Sequence, residues 1–155
     1  MEKQRRRNVI QEKSFAFAVR IVACCRTLQV KQKEFVLSKQ LLRSGTSIGA
    51  NVEEAIGAQS RKDFAAKMSI ATKEARETVY WLRLLQAAKV FESSRFDDLV
   101  SECREVLTIL NSIVLTTRSH VRSESSSTSP NIQNSSFRIQ NSTELSEVSH
   151  DSRDI

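Results

Sequence analysis

Four runs of apolar residues recur at a spacing of three to four along this chain, and short polar connectors separate the runs. Apolar residues at that spacing fall on one face of an α-helix, so each run predicts an amphipathic helix. The 155 residues include only three Gly and one Pro, which is too few turn residues for a strand-rich fold. Because neighbouring helices with short connectors pack antiparallel, the pattern predicts an all-α, antiparallel up-down-up-down four-helix bundle.

The bundle is predicted to occupy residues 8–119, after a basic N-terminal extension of residues 1–7. The four predicted helices span about Val9–Val30, Phe35–Ala58, Arg61–Ala88 and Arg95–Thr117. Three pairs at the helix starts are typical of N-terminal caps, in which a side chain accepts a hydrogen bond from the backbone three residues on: Asn8 with Gln11, Ser60 with Asp63, and Ser94 with Asp97.

The composition changes at His120. Residues 120–155 are rich in Ser and Asn, with isolated apolar residues and no helical period, so they cannot bury enough surface to offset the entropy of ordering. We therefore predict a disordered Ser-rich tail. The charge divides at the same place, because residues 1–119 hold 21 basic and 13 acidic residues and the tail holds 3 and 5. The predicted bundle is the basic part of the chain.

The cysteines indicate a reducing compartment. Cys24, Cys25 and Cys103 are an odd number without zinc-ligand spacing, which predicts neither a disulfide framework nor a metal site. The start of the chain imitates a signal peptide, but Arg20 interrupts its apolar segment and makes the segment too short for export. No run approaches the roughly 18 apolar residues that a membrane span needs. We expect a cytoplasmic protein without metal or other cofactor.

All three glycines lie in one stretch, LLRSGTSIGANVEEAIGAQSRKDF, which raises the possibility of a phosphate-binding loop. Such a loop needs the pattern G-x-x-x-x-G-K-[ST] after a strand, whereas Gly45 and Gly49 are four apart, with neither a following Lys nor a preceding strand. Both glycines instead fall on the apolar face of the second helix. There they predict a close approach by a neighbouring helix.

A polar stripe follows the same helix. Gln40, Ser44, Ser47, Asn51 and Glu54 are spaced by four and three residues in alternation, so they share one face. If the second and third helices form a hairpin that turns near Ser60, residue n of the second lies near residue 120 − n of the third. The predicted partners include Arg43 with Glu77, Ser47 with Lys73 or Glu74, and Asn51 with Ser69. A buried polar seam that fixes register is one interpretation of the stripe, and a solvated face is the other.

The residues of this stretch also match a known family pattern. EFVLSKQLLRSGTSIGANVEEAIGAQSRKDF, followed by SIATKEARETVYWLRLL, resembles the small four-helix-bundle proteins associated with intervening sequences in bacterial 23S ribosomal RNA genes. The similarity covers about Asn8 to Thr117. Seven residues match the family pattern Q-x-x-R-S/A-x-x-S-I-x-x-N-x-x-E: Gln40, Arg43, Ser44, Ser47, Ile48, Asn51 and Glu54.

The resemblance implies an antiparallel four-helix bundle that assembles as a ring-shaped homopentamer and has no known catalytic activity. A related branch of the family comprises the accessory proteins of diversity-generating retroelements, which are basic, bind nucleic acid and work with a reverse transcriptase. The partners that the resemblance implies are therefore other copies of the chain, RNA or DNA, and a reverse transcriptase or another protein. The Ser-rich tail lies outside the family pattern.

The residues themselves argue against catalysis. The predicted bundle contains no His, which removes the usual Ser-His and Cys-His nucleophile pairs. The adjacent carboxylates Glu53 with Glu54 and Glu74 with Glu77 have Lys and Arg neighbours, and such carboxylates more often form ion pairs than act as acids or bases. We expect no enzymatic activity.

Nucleic-acid binding is the better prediction. Basic residues cluster with one aromatic residue near one face of the third helix, where cations could bind phosphates and the aromatic ring could stack on a base: Arg61, Lys62, Lys73, Arg76, Tyr80 and Arg83. The opposing interpretation is ordinary solubility charge, partly neutralised by Glu74 and Glu77. No base-reading motif is present, so we expect recognition by shape and charge. The alternative function is a structural or protein-interaction scaffold that binds no nucleic acid.

Overall fold

The computed structural model describes residues 8–90 and 94–127, together with the side chains of residues 8–90 and 96–123. The described residues form four α-helices and no strand, as the sequence predicts. The helices are α1 (Val9–Gln32), α2 (Val36–Ile56), α3 (Arg61–Ala87) and α4 (Ser94–Ser127).

Each helix packs against the one that follows it in the chain, and α4 returns to pack against α1. This is an antiparallel up-down-up-down four-helix bundle, and the predicted fold is confirmed. One apolar side chain from each helix illustrates the shared core, because Ile21, Leu41, Leu82 and Leu110 are fully buried. Burial of such a side chain stabilises the fold by about 1.5–3 kcal/mol.

The helix starts depend on local hydrogen bonds, and one predicted cap is wrong. The Ser60 side chain accepts from the backbone N–H of Asp63 at 3.1 Å, as predicted. Asn8 has an extended backbone at the start of α1, but its side chain makes no capping hydrogen bond. An unpredicted cap begins α2, where the Glu34 carboxylate accepts from the backbone N–H groups of Val36 and Leu37, both at 2.7 Å. The predicted Ser94 cap involves a side chain outside those that are described.

Helix α4 is longer than predicted, since it continues to Ser127 instead of ending near Thr117. Residues 120–127 are therefore helical, although their composition indicated disorder. The extension lies along the first half of α3, where the Arg118 guanidinium donates to the Ser69 hydroxyl at 3.3 Å. Val121 on the same extension is half-buried. Packing of this kind can outweigh weak helix propensity. The predicted N-terminal extension and the rest of the predicted tail lie outside the described residues.

The two glycines in the middle of α2 face a neighbouring helix, as predicted, and that helix is α1. They differ in the space around them. A Cβ atom added at Gly45 would lie 2.8 Å from Cγ2 of Ile21, which is closer than such atoms approach. A Cβ atom at Gly49 would lie 3.5 Å from the carbonyl oxygen of Ser14, an ordinary contact. Gly45 is therefore the position where the two helices require a missing side chain.

Candidate nucleic-acid interface and neighbouring surfaces

The six residues predicted for nucleic-acid binding are all exposed on α3. They occupy the side of the helix opposite the buried Ala71, Ala75 and Leu82, because the apolar residues of α3 point into the bundle. We call this set the basic face: Arg61, Lys62, Lys73, Arg76, Tyr80 and Arg83. The fold thus brings together on one side the residues that the sequence grouped by spacing alone.

Two residues of α4, which the sequence interpretation missed, border the basic face. The Arg76 guanidinium donates to the side-chain oxygen of Asn111 at 3.4 Å. Farther along, Arg118 of α4 donates to Ser69 of α3 and adds another exposed cation. Both contacts cross between antiparallel helices, so only the register of α3 against α4 could have revealed them. The positive surface consequently extends over two helices.

Tyr80 has a defined neighbour within the basic face. Its ring is 57% exposed and lies edge-on to the ring of Trp81, with 4.9 Å between ring centroids and 71° between ring planes. The indole Nε1–H of Trp81 donates to the Glu77 carboxylate at 3.0 Å. Trp81 is itself half-buried against the core. One side of the Tyr80 ring is therefore supported while much of the rest remains accessible.

The acidic residues of α3 lie toward α2, away from Asn111 and Arg118. Glu74 is half-buried, and its pKa is raised by this burial and by the negative charge of Glu77. The Arg43 guanidinium of α2 acts in the opposite direction and lowers the pKa of Glu74. On the α4 side the basic face is bordered by the neutral Asn111 and the cationic Arg118. Asp97 of α4 accepts from the Gln86 amide near the end of α3.

The polar stripe of α2 faces α3 and makes two direct contacts with it. The hydroxyl of Thr78 donates to the hydroxyl of Ser44 at 3.0 Å, and both residues are fully buried. At the turn end of the hairpin, the Lys67 ammonium donates to the Glu54 carboxylate in an ion pair. The predicted register would place Ser44 opposite Arg76 and Glu54 opposite Ala66, so the hairpin departs from it by one or two positions.

The stripe is not a continuous buried network. Ser44 is buried, Gln40, Ser47 and Asn51 are half-buried, and Glu54 is exposed, as is Arg43 beside the stripe. The Asn51 amide donates to the backbone carbonyl of Ser47 at 2.9 Å, within its own helix. The predicted contact of Asn51 with Ser69 is absent from the described hydrogen bonds, since the Ser69 hydroxyl donates to Ala65 instead. The stripe therefore combines one buried contact with a solvated rim.

The outer face of α1 carries large apolar side chains beside charged ones, a feature that the sequence interpretation missed. Phe15, Val19 and Val30 are 68%, 54% and 69% exposed. We call these three residues the α1 strip. The spacing of apolar residues in α1 identified its buried face. The exposed apolar residues belong to the same apolar segment of the sequence, so spacing did not distinguish them. Exposed apolar side chains that share one side of a helix can mark an interaction site.

The described residues include three cysteines, two of which are buried. They contain no group of three or more His, Cys, Asp or Glu side chains arranged to hold a metal ion. Burial raises the pKa of the Cys103 thiol to about 12, and that of Cys25 to about 12 with a further contribution from neighbouring Cys24. Thiols with raised pKa values are poor nucleophiles. Cys24 is half-buried, unlike Cys25 and Cys103.

The fold and the residues of α2 that match the family pattern are those of a class of small four-helix-bundle proteins. Comparison with known proteins identifies the family. Residues 6–112 match the model of the 23S rRNA-intervening sequence protein family. The chain belongs to this family. It is also similar to a solved structure from Bacteroides thetaiotaomicron, a protein of unknown function from the S23 ribosomal protein family. The two chains are 50% identical, with a TM-score of 0.67 over 68% of this chain and 97% of the other.

These comparisons name a family and no enzymatic activity. A search of curated proteins found no match. Within the part of the chain that the structure describes, no helix is both long and apolar enough to cross a membrane.

Proposed function

We propose that this protein is a non-enzymatic, cytoplasmic, homo-oligomeric bundle that binds RNA or DNA through the basic face of α3. The observation that carries the proposal is the exposure of all six predicted residues on one side of a single helix. Arg118 of α4 adds positive charge beside them. Lys and Arg at such a surface bind phosphates and release counterions, which favours binding without sequence preference.

Self-association strengthens this proposal, because several copies would present the same basic face to one nucleic acid. Linked weak sites can bind far more tightly than one site alone. The α1 strip supports self-association, since a monomer would leave Phe15, Val19 and Val30 in water. The resemblance described above implies a pentamer, and we propose that number here. A reverse transcriptase or another protein is a further proposed partner.

The binding proposal is tested by replacing four exposed cations, Lys62, Lys73, Arg76 and Arg83, with Gln. We expect binding of a labelled oligonucleotide to weaken by about ten-fold or more at moderate salt, and the dependence on salt to become shallower. A matched control replaces four exposed cations of α1, α2 and the connector between them with Gln: Arg26, Lys31, Lys33 and Lys39. The control has the same net charge and should lose much less affinity.

Equal losses in the two variants would show that only net charge matters, and the assignment to the basic face would be wrong. If the unaltered protein binds no oligonucleotide at low salt, the nucleic-acid proposal fails. The α1 strip would then favour the alternative function, a structural or protein-interaction scaffold. That scaffold would show binding to another protein with little dependence on salt.

The self-association proposal is tested by sedimentation of Phe15→Ser with Val19→Ser. We expect this double variant to have a smaller mass than the unaltered protein, because two large exposed apolar side chains are removed. Leu115→Ser is the matched control, since Leu115 is 69% exposed on α4. An unchanged mass in the double variant would contradict a role for the α1 strip.

A further inference from the structure

The basic face differs from a simple cationic surface in having an exposed, supported aromatic ring between two of its arginines. Arg76 precedes Tyr80 by four residues and Arg83 follows it by three, so both guanidinium groups lie on the same side of α3 as the ring. Contact with Trp81 restricts the ring, and the hydrogen bond from Trp81 to Glu77 restrains the indole in turn. A base that stacks on Tyr80 would thus meet a ring that is already oriented.

The position of α3 in the bundle limits which nucleic acids can reach that ring with their bases. The major groove of B-form DNA is about 12 Å wide and admits a single helix. Helix α3 packs against both α2 and α4, and packed helices lie about 8–10 Å apart between axes. The neighbouring helices leave only the outer side of α3 open to a ligand. A duplex can offer phosphates to this surface, but its bases remain stacked on each other.

We infer that the ligand of the basic face is a single-stranded nucleic acid, with one base stacked on Tyr80 and the flanking phosphates bound by Arg76 and Arg83. This inference rests on the proposed function and names the class of its substrate. Arg118, beside Ser69, continues the cationic track along α4. Stacking of a base on an aromatic ring is tolerant of sequence, so no base-reading side chain is required.

The experiment compares three forms of one oligonucleotide: the single strand, an abasic strand of equal length and charge, and the strand annealed to its complement. We expect the single strand to bind at least about five-fold more tightly than the abasic strand, as expected for one stacked base. Tyr80→Ala should abolish that difference and leave duplex binding unchanged. Tyr80→Phe should preserve it, because the ring remains.

A second readout is the fluorescence of Trp81, which is the single tryptophan of the chain. A base stacked beside its neighbour Tyr80 should change the emission of Trp81, whereas the abasic strand should not. Leu115→Ala, at an exposed apolar residue of α4, is the control and should behave as the unaltered protein does.

The possible failures are distinct. If none of the three oligonucleotides binds, the proposed function itself is wrong. If all three bind equally and Tyr80→Ala changes nothing, phosphate binding stands and the single-strand inference is overturned. A duplex that binds more tightly than the single strand also overturns it.

Discussion

The α2–α3 pair and the α1–α4 pair close the bundle in different ways. Between α2 and α3, the Ser44 and Thr78 hydroxyls meet in a fully buried contact. Between α1 and α4, the described polar contacts are exposed ion pairs, Lys13 with Glu105 and Arg20 with Glu102. A polar contact in the core depends on exact partners, whereas an ion pair in water contributes little. The α2–α3 pair therefore has a buried polar contact that fixes its register, whereas the described ion pairs between α1 and α4 are weaker constraints.

A cavity marks the looser junction. It has a volume of about 340 Å³ and lies between α1 and the start of α4, where Cys24, Leu28, Phe96 and Leu99 contribute to its walls. A pocket of this size leaves the lining side chains with fewer apolar contacts than a closely packed junction provides. We therefore expect the α1–α4 junction to open more readily than the α2–α3 hairpin, as hydrogen exchange can measure residue by residue.

The largest effect on stability is expected at the buried Ser44–Thr78 contact between α2 and α3. Ser44→Leu would force a large side chain into a closed site and remove the partner of Thr78, at a cost of about 3 kcal/mol. Urea denaturation measures the change in unfolding free energy. Ser101→Leu is the matched control on the exposed face of α4 and should change stability by less than about 0.5 kcal/mol. A small effect at Ser44 would mean that the hairpin can repack.

The next effect separates the two glycines of α2. Gly45→Ala should destabilise the protein by about 1–2 kcal/mol, because its Cβ meets Ile21 at 2.8 Å. Gly49→Ala should stabilise it by up to about 1 kcal/mol, because Ala favours the helix and its Cβ finds ordinary contacts. Thermal denaturation of the two variants side by side provides the measurement. Changes of the same sign would contradict a close approach confined to Gly45.

A smaller effect on stability is expected from the ion pairs between α1 and α4. Glu102→Gln combined with Glu105→Gln removes both ion pairs to α1 and should cost about 0.5 kcal/mol for each pair. The loss should shrink in high salt, because exposed charges are screened. Denaturation of the double variant at low and high salt measures both. A large loss that persists in high salt would show that the α1–α4 junction is stronger than its contacts suggest.

The smallest effect concerns Glu74 and has a defined dependence on pH. A raised folded pKa means that the folded state binds the proton more tightly than the unfolded state, so ionisation at neutral pH is a cost. Glu74→Gln should remove that cost and stabilise the protein by less than about 0.5 kcal/mol at neutral pH. Below the ordinary pKa of a glutamate, where Glu74 is protonated in both states, the gain should vanish. A stability gain that grows on acidification would contradict this account.

Most of the fold could be predicted from patterns among residues that are close together in the sequence. The helical periods and the Ser60 cap are properties of neighbouring residues, and the structure confirms them. Asn8 has a suitable side chain and backbone but makes no cap, since nothing local compels the hydrogen bond. The extension of α4 beyond Thr117 could not be predicted from composition, because it depends on contacts with α3 such as that of Arg118 with Ser69.

Part of the candidate site could likewise be predicted from local spacing, and part of it could not. Spacing alone grouped Arg76, Tyr80 and Arg83 on one face, and the structure places all three on the exposed side of α3. The contribution of Asn111 required the register between two helices that are distant in sequence. The α1 strip was hidden because a helix that is apolar on two sides gives no clear period.

Because the three thiols differ in burial, the order in which a reagent modifies them can report how the bundle opens. Cys24 is half-buried at the α1–α4 cavity, whereas Cys25 and Cys103 are buried and the Cys103 thiol donates to the carbonyl of Ala75. A small thiol reagent should therefore modify Cys24 while the bundle is intact. Modification of Cys25 should wait for α1 to separate, and that of Cys103 for the separation of α3 from α4. Mass spectrometry of the modified protein over time would record the order in which the helices part, without any substitution.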